Sequence, residues 1–243
     1  MTTPTSMRMT PVEWILLFIL GGVWGGTFFF NAIAIPEIPP LVVIFFRVAI
    51  ASIILWVVVL AGGIKVPRDA TTWVDLVIMA ALNSALPFFL IAWGQVHIAS
   101  GLASIMIGTT PLFAVVTAHF MTSDEKMSPG KVLGVLAGLV GVVVLIGPQF
   151  LGDIGKDLIA QLSVLGAAVC YAVSAIYGRR FSRRDTPPMM VATGQITMAA
   201  LLLLPFTVII DRPWELAIPS MQAWGAVLGL AVLSTSFAYL IFF

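Results

Sequence analysis

A handful of side chains in this chain set polar chemistry inside an apolar run. Arg47 follows Phe45-Phe46 among Val, Ile and Leu, Asn83 and Gln195 carry amides, Ser234 a hydroxyl, Tyr171 and Tyr239 phenols, and Trp24 an indole. An arginine at the centre of a lipid-spanning helix costs about 2.5–3.5 kcal/mol on insertion scales and keeps its charge, so something has to compensate it. Counted along a helix from Pro40, its backbone lies roughly 10 Å inside the membrane boundary. That depth suits a cavity or the anionic group of a ligand, and equally a structural arginine that snorkels or bonds neighbouring carbonyls. Nowhere do a nucleophile and base, paired acids or metal ligands converge at one depth, so the chain is expected to be no enzyme and to use no metal or cofactor. The lone Cys170 reads as a packing residue. Glu13, Asp75 and the other acids fall at segment ends or in loops, which leaves no buried carboxylate for a proton relay. His97 and His119, near segment ends, read as interfacial polar residues.

The elements that must position these groups are membrane helices. Of 243 residues 60% are hydrophobic and only 9% charged, a balance suited to a bundle bathed in lipid. A net charge of +1 without a basic run excludes a nucleic-acid partner and leaves lipid and a small-molecule solute. Segments long enough to span run from Trp14 to Asn31, Pro40 to Ala61, Trp73 to Gln95, Ala99 to Met121, Lys131 to Gly147, Leu158 to Tyr177, Pro188 to Ile210 and Met221 to Phe243. The first, with Arg8 before it and Ala32-Ile33-Ala34 after it, mimics a cleavable signal. It is long for one, and Pro36 and Pro39-Pro40 suit a tight turn into the next span. With the N-terminus cytoplasmic, Arg8, Lys65, Arg68, Lys126, Lys131, Arg179, Arg180, Arg183 and Arg184 lie inside, against Lys156 and Arg212 outside, which predicts that topology in an inner membrane.

A shift of roughly 150 residues aligns Pro39-Pro40 with Pro187-Pro188, Arg47 with Gln195 and Trp73 with Trp224. Five segments precede the second copy, so it enters from the opposite side: an inverted repeat, which is a transporter architecture. The fold class expected is an all-α polytopic bundle of two five-helix units, residues 13–147 and 158–243. The second unit holds three segments, so the chain reads as a truncated ten-helix protein rather than an eight-helix one. Asn83 and Ser234 fall at equivalent positions about 15 Å from their helix starts, near the midplane where transporters hold substrate.

Trp24 shares that depth and reads as a cavity wall, whereas Trp73, Trp93, Trp214 and Trp224 suit interfacial anchors. Tyr171 and Tyr239 need hydroxyl partners and suit a pathway lining. Pro87 and Pro111 interrupt two segments and free carbonyls, as a gate or a static kink would. Gly130, Gly134 and Gly138 form a close-approach face for packing or a homodimer. The alternative to a carrier is a non-transporting membrane assembly subunit.

Together, Val23-Trp24-Gly25-Gly26-Thr27, Phe45-Phe46-Arg47, Ala99-Ser100-Gly101-Leu102-Ala103-Ser104, Pro111-Leu112 and Asp124-Glu125-Lys126 resemble the EamA-type members of the drug/metabolite transporter superfamily. The resemblance implies ten helices in two inverted repeats and export or exchange of metabolites, amino acids or drugs by alternating access, without ATP. The last two helices of that pattern are not in this sequence.

Overall fold

A computed structural model of the protein describes residues 10–151 and 157–242. Arg8, Asp153, Lys156 and Phe243 lie outside the described residues. Among those described there is no strand. Among the described residues seven helices are long and apolar enough to cross a membrane: α1 (Pro11–Ala34), α2 (Pro40–Ala61), α3 (Ala70–Gly94), α4 (Ser100–Met121), α6 (Leu158–Arg183), α7 (Pro188–Asp211) and α8 (Met221–Phe242). Between them α5 (Pro129–Leu151) contains a shorter apolar helix, Pro129–Val142. The chain is a multi-pass membrane protein, as the run of apolar segments requires: in lipid, only helices satisfy each backbone group within the segment.

Local chemistry sets the helix starts. At α1 the Thr10 hydroxyl accepts the Glu13 N–H at 3.3 Å and the Glu13 carboxylate accepts the Thr10 N–H at 2.6 Å, a reciprocal cap. The paired prolines place Pro40 and Pro188 at the first position of α2 and α7, where a missing N–H costs nothing. Asp69 caps α3 through Thr72 N–H at 2.8 Å, and Ser220 caps α8 through Ala223 N–H at 3.1 Å.

The centre of the bundle is the contact of α2 with α7, flanked by α1 on α8 and by α3 on α6 and α7. Val43, Ile44, Val48, Leu55, Ile196 and Leu230 are fully buried there. Outward-facing Phe18, Ile53, Leu60, Leu133 and Ile209 are exposed, as lipid-facing residues are. One end of the bundle gathers Lys65, Arg68, Arg179, Arg180, Arg183 and Arg184 and is called the basic end; the loops at 35–39, 95–99 and 212–220 form the opposite end.

Two elements add detail to the segments read from the sequence. Helix α4 breaks at Gly108 and Thr109, ahead of Pro111. The carbonyls freed there are taken within the helix, Met106 O by the Thr109 hydroxyl at 2.6 Å and Ile107 O by that of Thr110 at 2.7 Å. Helix α6 runs on past Tyr177 to Arg183, so Arg179, Arg180 and Arg183 project from a helix instead of a loop.

The tight approaches also fall at glycines the pattern did not single out. A Cβ on Gly94 would lie 2.6 Å from Val164 Cγ2 and 3.1 Å from the Ala160 carbonyl oxygen, and one on Gly229 2.7 Å from the Phe30 ring. Of the α5 glycines, Gly138 packs within the chain against Leu112 of α4, while Gly134 and Gly141 meet nothing. Gly94→Val is therefore expected to cost about 1–3 kcal/mol by overpacking the α3–α6 contact. Thermal unfolding in detergent should show a lowered Tm, with Gly134→Val as the unaffected control.

Candidate functional site

The bends that build the site are two π-helical turns, Ala81–Ala85 in α3 and Val232–Phe237 in α8. Such a turn widens the helix and leaves carbonyls misaligned, a local cost that recurs at functional sites. In α8 hydroxyls absorb it: Thr235 and Ser236 donate to Leu230 O and Ala231 O, both at 2.9 Å. The turns present Asn83 on one side and Ser234 and Thr235 on the other to the α2–α7 core.

Arg47 is 3% exposed. Its Nε donates to Thr235 Oγ1 at 2.9 Å, and its guanidinium lies over the Phe88 ring, 3.8 Å from the centroid. Across the core Asn83 Nδ2 donates to Gln195 Oε1 at 3.2 Å and to the Tyr239 hydroxyl at 3.3 Å, while Asn83 Oδ1 accepts from the Ser174 hydroxyl at 3.0 Å. Ser234 donates to Val23 O on α1 at 3.1 Å. Trp24 contacts the Phe242 ring at 5.7 Å.

These residues surround one cavity of about 1130 Å³. Trp24, Arg47, Asn83, Tyr171, Gln195, Ser234 and Tyr239, dispersed over more than two hundred positions, all line it. The cavity reaches the basic end, where Gly178, Ser182, Asp185 and Thr186 form its rim, and its flank between α1, α4 and α8 is bounded by Trp24, Gly108 and Phe242. Towards the opposite end it stops at Phe28 and Asn31. There Asn31 Nδ2 donates to Gln95 Oε1 at 2.9 Å and Gln95 Nε2 to Phe28 O at 3.0 Å. Beyond them the Glu37 carboxylate accepts both the backbone N–H and the hydroxyl of Ser220, each at 2.7 Å, which ties the α1–α2 loop to the start of α8.

Neither Pro87 nor Pro111 lines the cavity, though each adjoins a residue that does, Phe88 and Thr110. Pro87 is buried, one turn beyond the Asn83 bend; Pro111 follows the Gly108 break and does not line the cavity, although Gly108 and Thr110 do. Among the described residues no group of His, Cys, Asp or Glu is placed to hold a metal.

One expectation is overturned. Asp75 is buried, at 5% exposure, because α6 continues far enough to cover it. Its carboxylate accepts from the Tyr177 hydroxyl at 2.6 Å, Arg180 at 2.8 Å and Arg184 at 2.5 Å, which joins α3 to α6 beside the cavity rim. Thr235, Ser174, Phe88 and the Asn31–Gln95 pair also escaped the sequence reading. A signal existed for Thr235 in the hydroxyl run Ser234-Thr235-Ser236; the amides at 31 and 95 looked like segment ends.

Comparison with known proteins follows the same lines. A family model described as the EamA-like transporter family matches residues 12–147 and 158–243. An uncharacterized transporter of Bacillus subtilis, YoaV, is 27% identical over 91% of this chain and 75% of its own length. The uncharacterized inner membrane transporter YedA of Escherichia coli is 28% identical over 91% of this chain and 70% of its own. A solved structure described only as "Crystal structure of protein" superposes with a TM-score of 0.69 at 22% identity, over 93% of this chain and 76% of that one, and so shows the fold.

Two outcomes follow from the geometry. Asn83→Ala strands the amide oxygen of Gln195 and leaves the Ser174 hydroxyl only its bond to Tyr171 O, an expected loss of about 1–3 kcal/mol that a Tm measurement in detergent will register. Glu37 titrates below the usual carboxylate range because the Ser220 backbone N–H, and then its hydroxyl, bond the ionised form. A depressed folded-state pKa stabilises above the unfolded value and stops doing so as pH falls through the folded one. The Tm difference between the wild type and Glu37→Gln is thus expected at pH 7 and should vanish well below pH ~4.

Proposed function

The chain belongs to the EamA-like transporter family, and on that premise we propose that it is a secondary carrier of small metabolites, amino acids or drugs, exporting or exchanging them across an inner membrane by alternating access. Relatives named as transporters, one of them an inner membrane transporter, support the general class, and transporters of this family are generally not enzymes.

The observation that carries the finer reading is the one-sided cavity: Arg47, Asn83 and Gln195 at its core, a rim at the basic end, and hydrogen-bonded closure at the other. Positively charged loops stay in the cytoplasm, so the basic end is taken as cytoplasmic and the N-terminus with it. The cavity then loads from inside, as export requires. Arg47 attracts an anionic group of the solute, and Asn83, Gln195 and Ser234 hydrogen-bond it, with Trp24, Tyr171 and Tyr239 as walls.

The two halves move about these residues. Arg47 reaches Thr235 across α2 and α8, and Gln195 receives Asn83 across α7 and α3, so the same kind of bond joins a regular stretch of helix to a π-turn on each side. This pairing supports the inverted repeat of residues 13–147 and 158–243, in which each half supplies one turn and one anchor. Pro87, beside the Asn83 bend, and Pro111, at the α4 break, serve as hinges for the gates.

Efflux of a labelled metabolite and amino-acid panel from cells expressing the protein tests the proposal. Saturable efflux of one solute class is expected, and Arg47→Ala, at unchanged membrane insertion, should weaken solute binding roughly ten- to a hundredfold through loss of a charge-assisted bond worth about 1.5–3 kcal/mol. A well-inserted protein that moves no member of a broad panel would sink the carrier reading.

A further inference from the structure

We propose that the solute held in this cavity is an organic monoanion: one carboxylate on an apolar or aromatic body, with no ammonium group. The inference rests on the carrier reading above and deepens it by assigning the charge of the substrate.

Charge balance in the cavity is the first ground. Among the described lining residues Arg47 is the one cation, and the one carboxylate is that of Asp185 at the exposed rim. The buried acid nearby, Asp75, is not in the lining and is already engaged by Arg180 and Arg184. At the core the guanidinium therefore faces neutral groups alone, the amides of Asn83 and Gln195 and the hydroxyls of Tyr239 and Ser234. A buried charge without a counterion is costly, and a single anion from outside removes the deficit.

Geometry is the second. Thr235 holds Nε at 2.9 Å and Phe88 covers one guanidinium face at 3.8 Å, which fixes the plane of the group. Among the described residues the two terminal nitrogens have no hydrogen-bond partner, while Arg47 lines the cavity. They present the paired N–H donors that a carboxylate accepts in bidentate fashion.

The walls argue against a zwitterion. An α-ammonium is tied to its own carboxylate, so docking the carboxylate on Arg47 brings a second positive charge beside the guanidinium with no acid to offset it. The acceptor left over at the closed end is Asn31 Oδ1, fully buried and without a hydrogen-bond partner among the described residues. An amide oxygen of this kind accepts from any donor but carries no charge to offset an ammonium. Around these polar points Trp24, Phe28, Phe88, Ile91, Ile107 and Phe242 offer an apolar lining to the rest of the molecule.

Three ligands with the same phenyl ring and short chain isolate the charge: 3-phenylpropionate, phenylalanine and 2-phenylethylamine, carrying net −1, 0 and +1. Binding to the purified full chain in detergent, followed by calorimetry, should rank 3-phenylpropionate at least about tenfold tighter than phenylalanine, the factor that ~1.4 kcal/mol supplies, with no saturable binding of the amine. Arg47→Gln should bring 3-phenylpropionate down to the level of phenylalanine. If that variant does not fold, the wild-type ranking alone decides. Phenylalanine or the amine binding as tightly as the acid, or a folded Arg47→Gln protein that binds the acid unchanged, overturns the inference. So does failure of all three to bind; saturable efflux of another solute would then leave the carrier reading standing, whereas absence of any flux would remove both.

Discussion

Burying one guanidinium in a lipid-embedded bundle is the constraint around which the interior is arranged. Arg47 cannot neutralise itself by losing a proton, so the surroundings must supply hydrogen bonds, polarisable contact or a counterion. The interior supplies the first two: a hydroxyl on α8 for Nε and the face of Phe88 on α3. Meeting those needs draws α2, α3 and α8 to one point, and the polar residues gathered there leave a space that apolar packing does not fill. The cavity is thus a consequence of the charge as well as its setting.

The π-turns belong to the same arrangement. A regular α-helix keeps its carbonyls occupied and would present neither Asn83 nor Thr235 to the core with acceptors to spare. Widening α8 at Val232–Phe237 disturbs that ladder, and the hydroxyls of Thr235 and Ser236 reach back five residues to repair it. Thr235 is then used twice, as donor to its own helix and as acceptor from Arg47. The cost of the bend and the cost of the charge are met by one side chain, which ties the local distortion to the site it serves.

Much of this was legible in the residues because hydrophobic length and polar exceptions are the strongest signals a membrane protein carries. The limits of α2 at Pro40 and Ala61 follow from a proline start and the Gly62-Gly63 stop. The seven side chains selected for their polarity or depth, Trp24 to Tyr239, line one cavity, because a polar group in a span has few places to go other than the interior. What escaped was whatever depends on helix length or on a partner far along the chain. Asp75 looks terminal until α6 extends past Tyr177 and folds two arginines over it. Phe88 is one aromatic among many until a cation sits on it. Glycine spacing pointed to α5, where Gly138 does approach Leu112, yet equally close contacts lie at Gly94, Gly194 and Gly229, where the neighbour and not the spacing decides.

The two ends of the cavity also differ in how their acids are held. At the opposite end an acid two residues before a proline pair, Glu37, meets the capping hydroxyl and N–H of Ser220 and needs nothing further. At the basic end the matching positions are Asp185, two residues before Pro187-Pro188, and Asp69, the cap of α3. Two carboxylates cannot bond one another as ions. Asp69 is moreover held ionised, chiefly by Thr72 and to a lesser degree by the charge of Arg184. Arg184 stands beside this pair, bound to Asp75. The acids at this end are thus served by arginine and not by a capping hydroxyl from a distant loop: Arg184 binds Asp75 and its charge favours the ionised form of Asp69. The excess of arginine at this end thus has a use within the bundle: Arg180 and Arg184 let the buried carboxylate of Asp75 stay charged between α3 and α6.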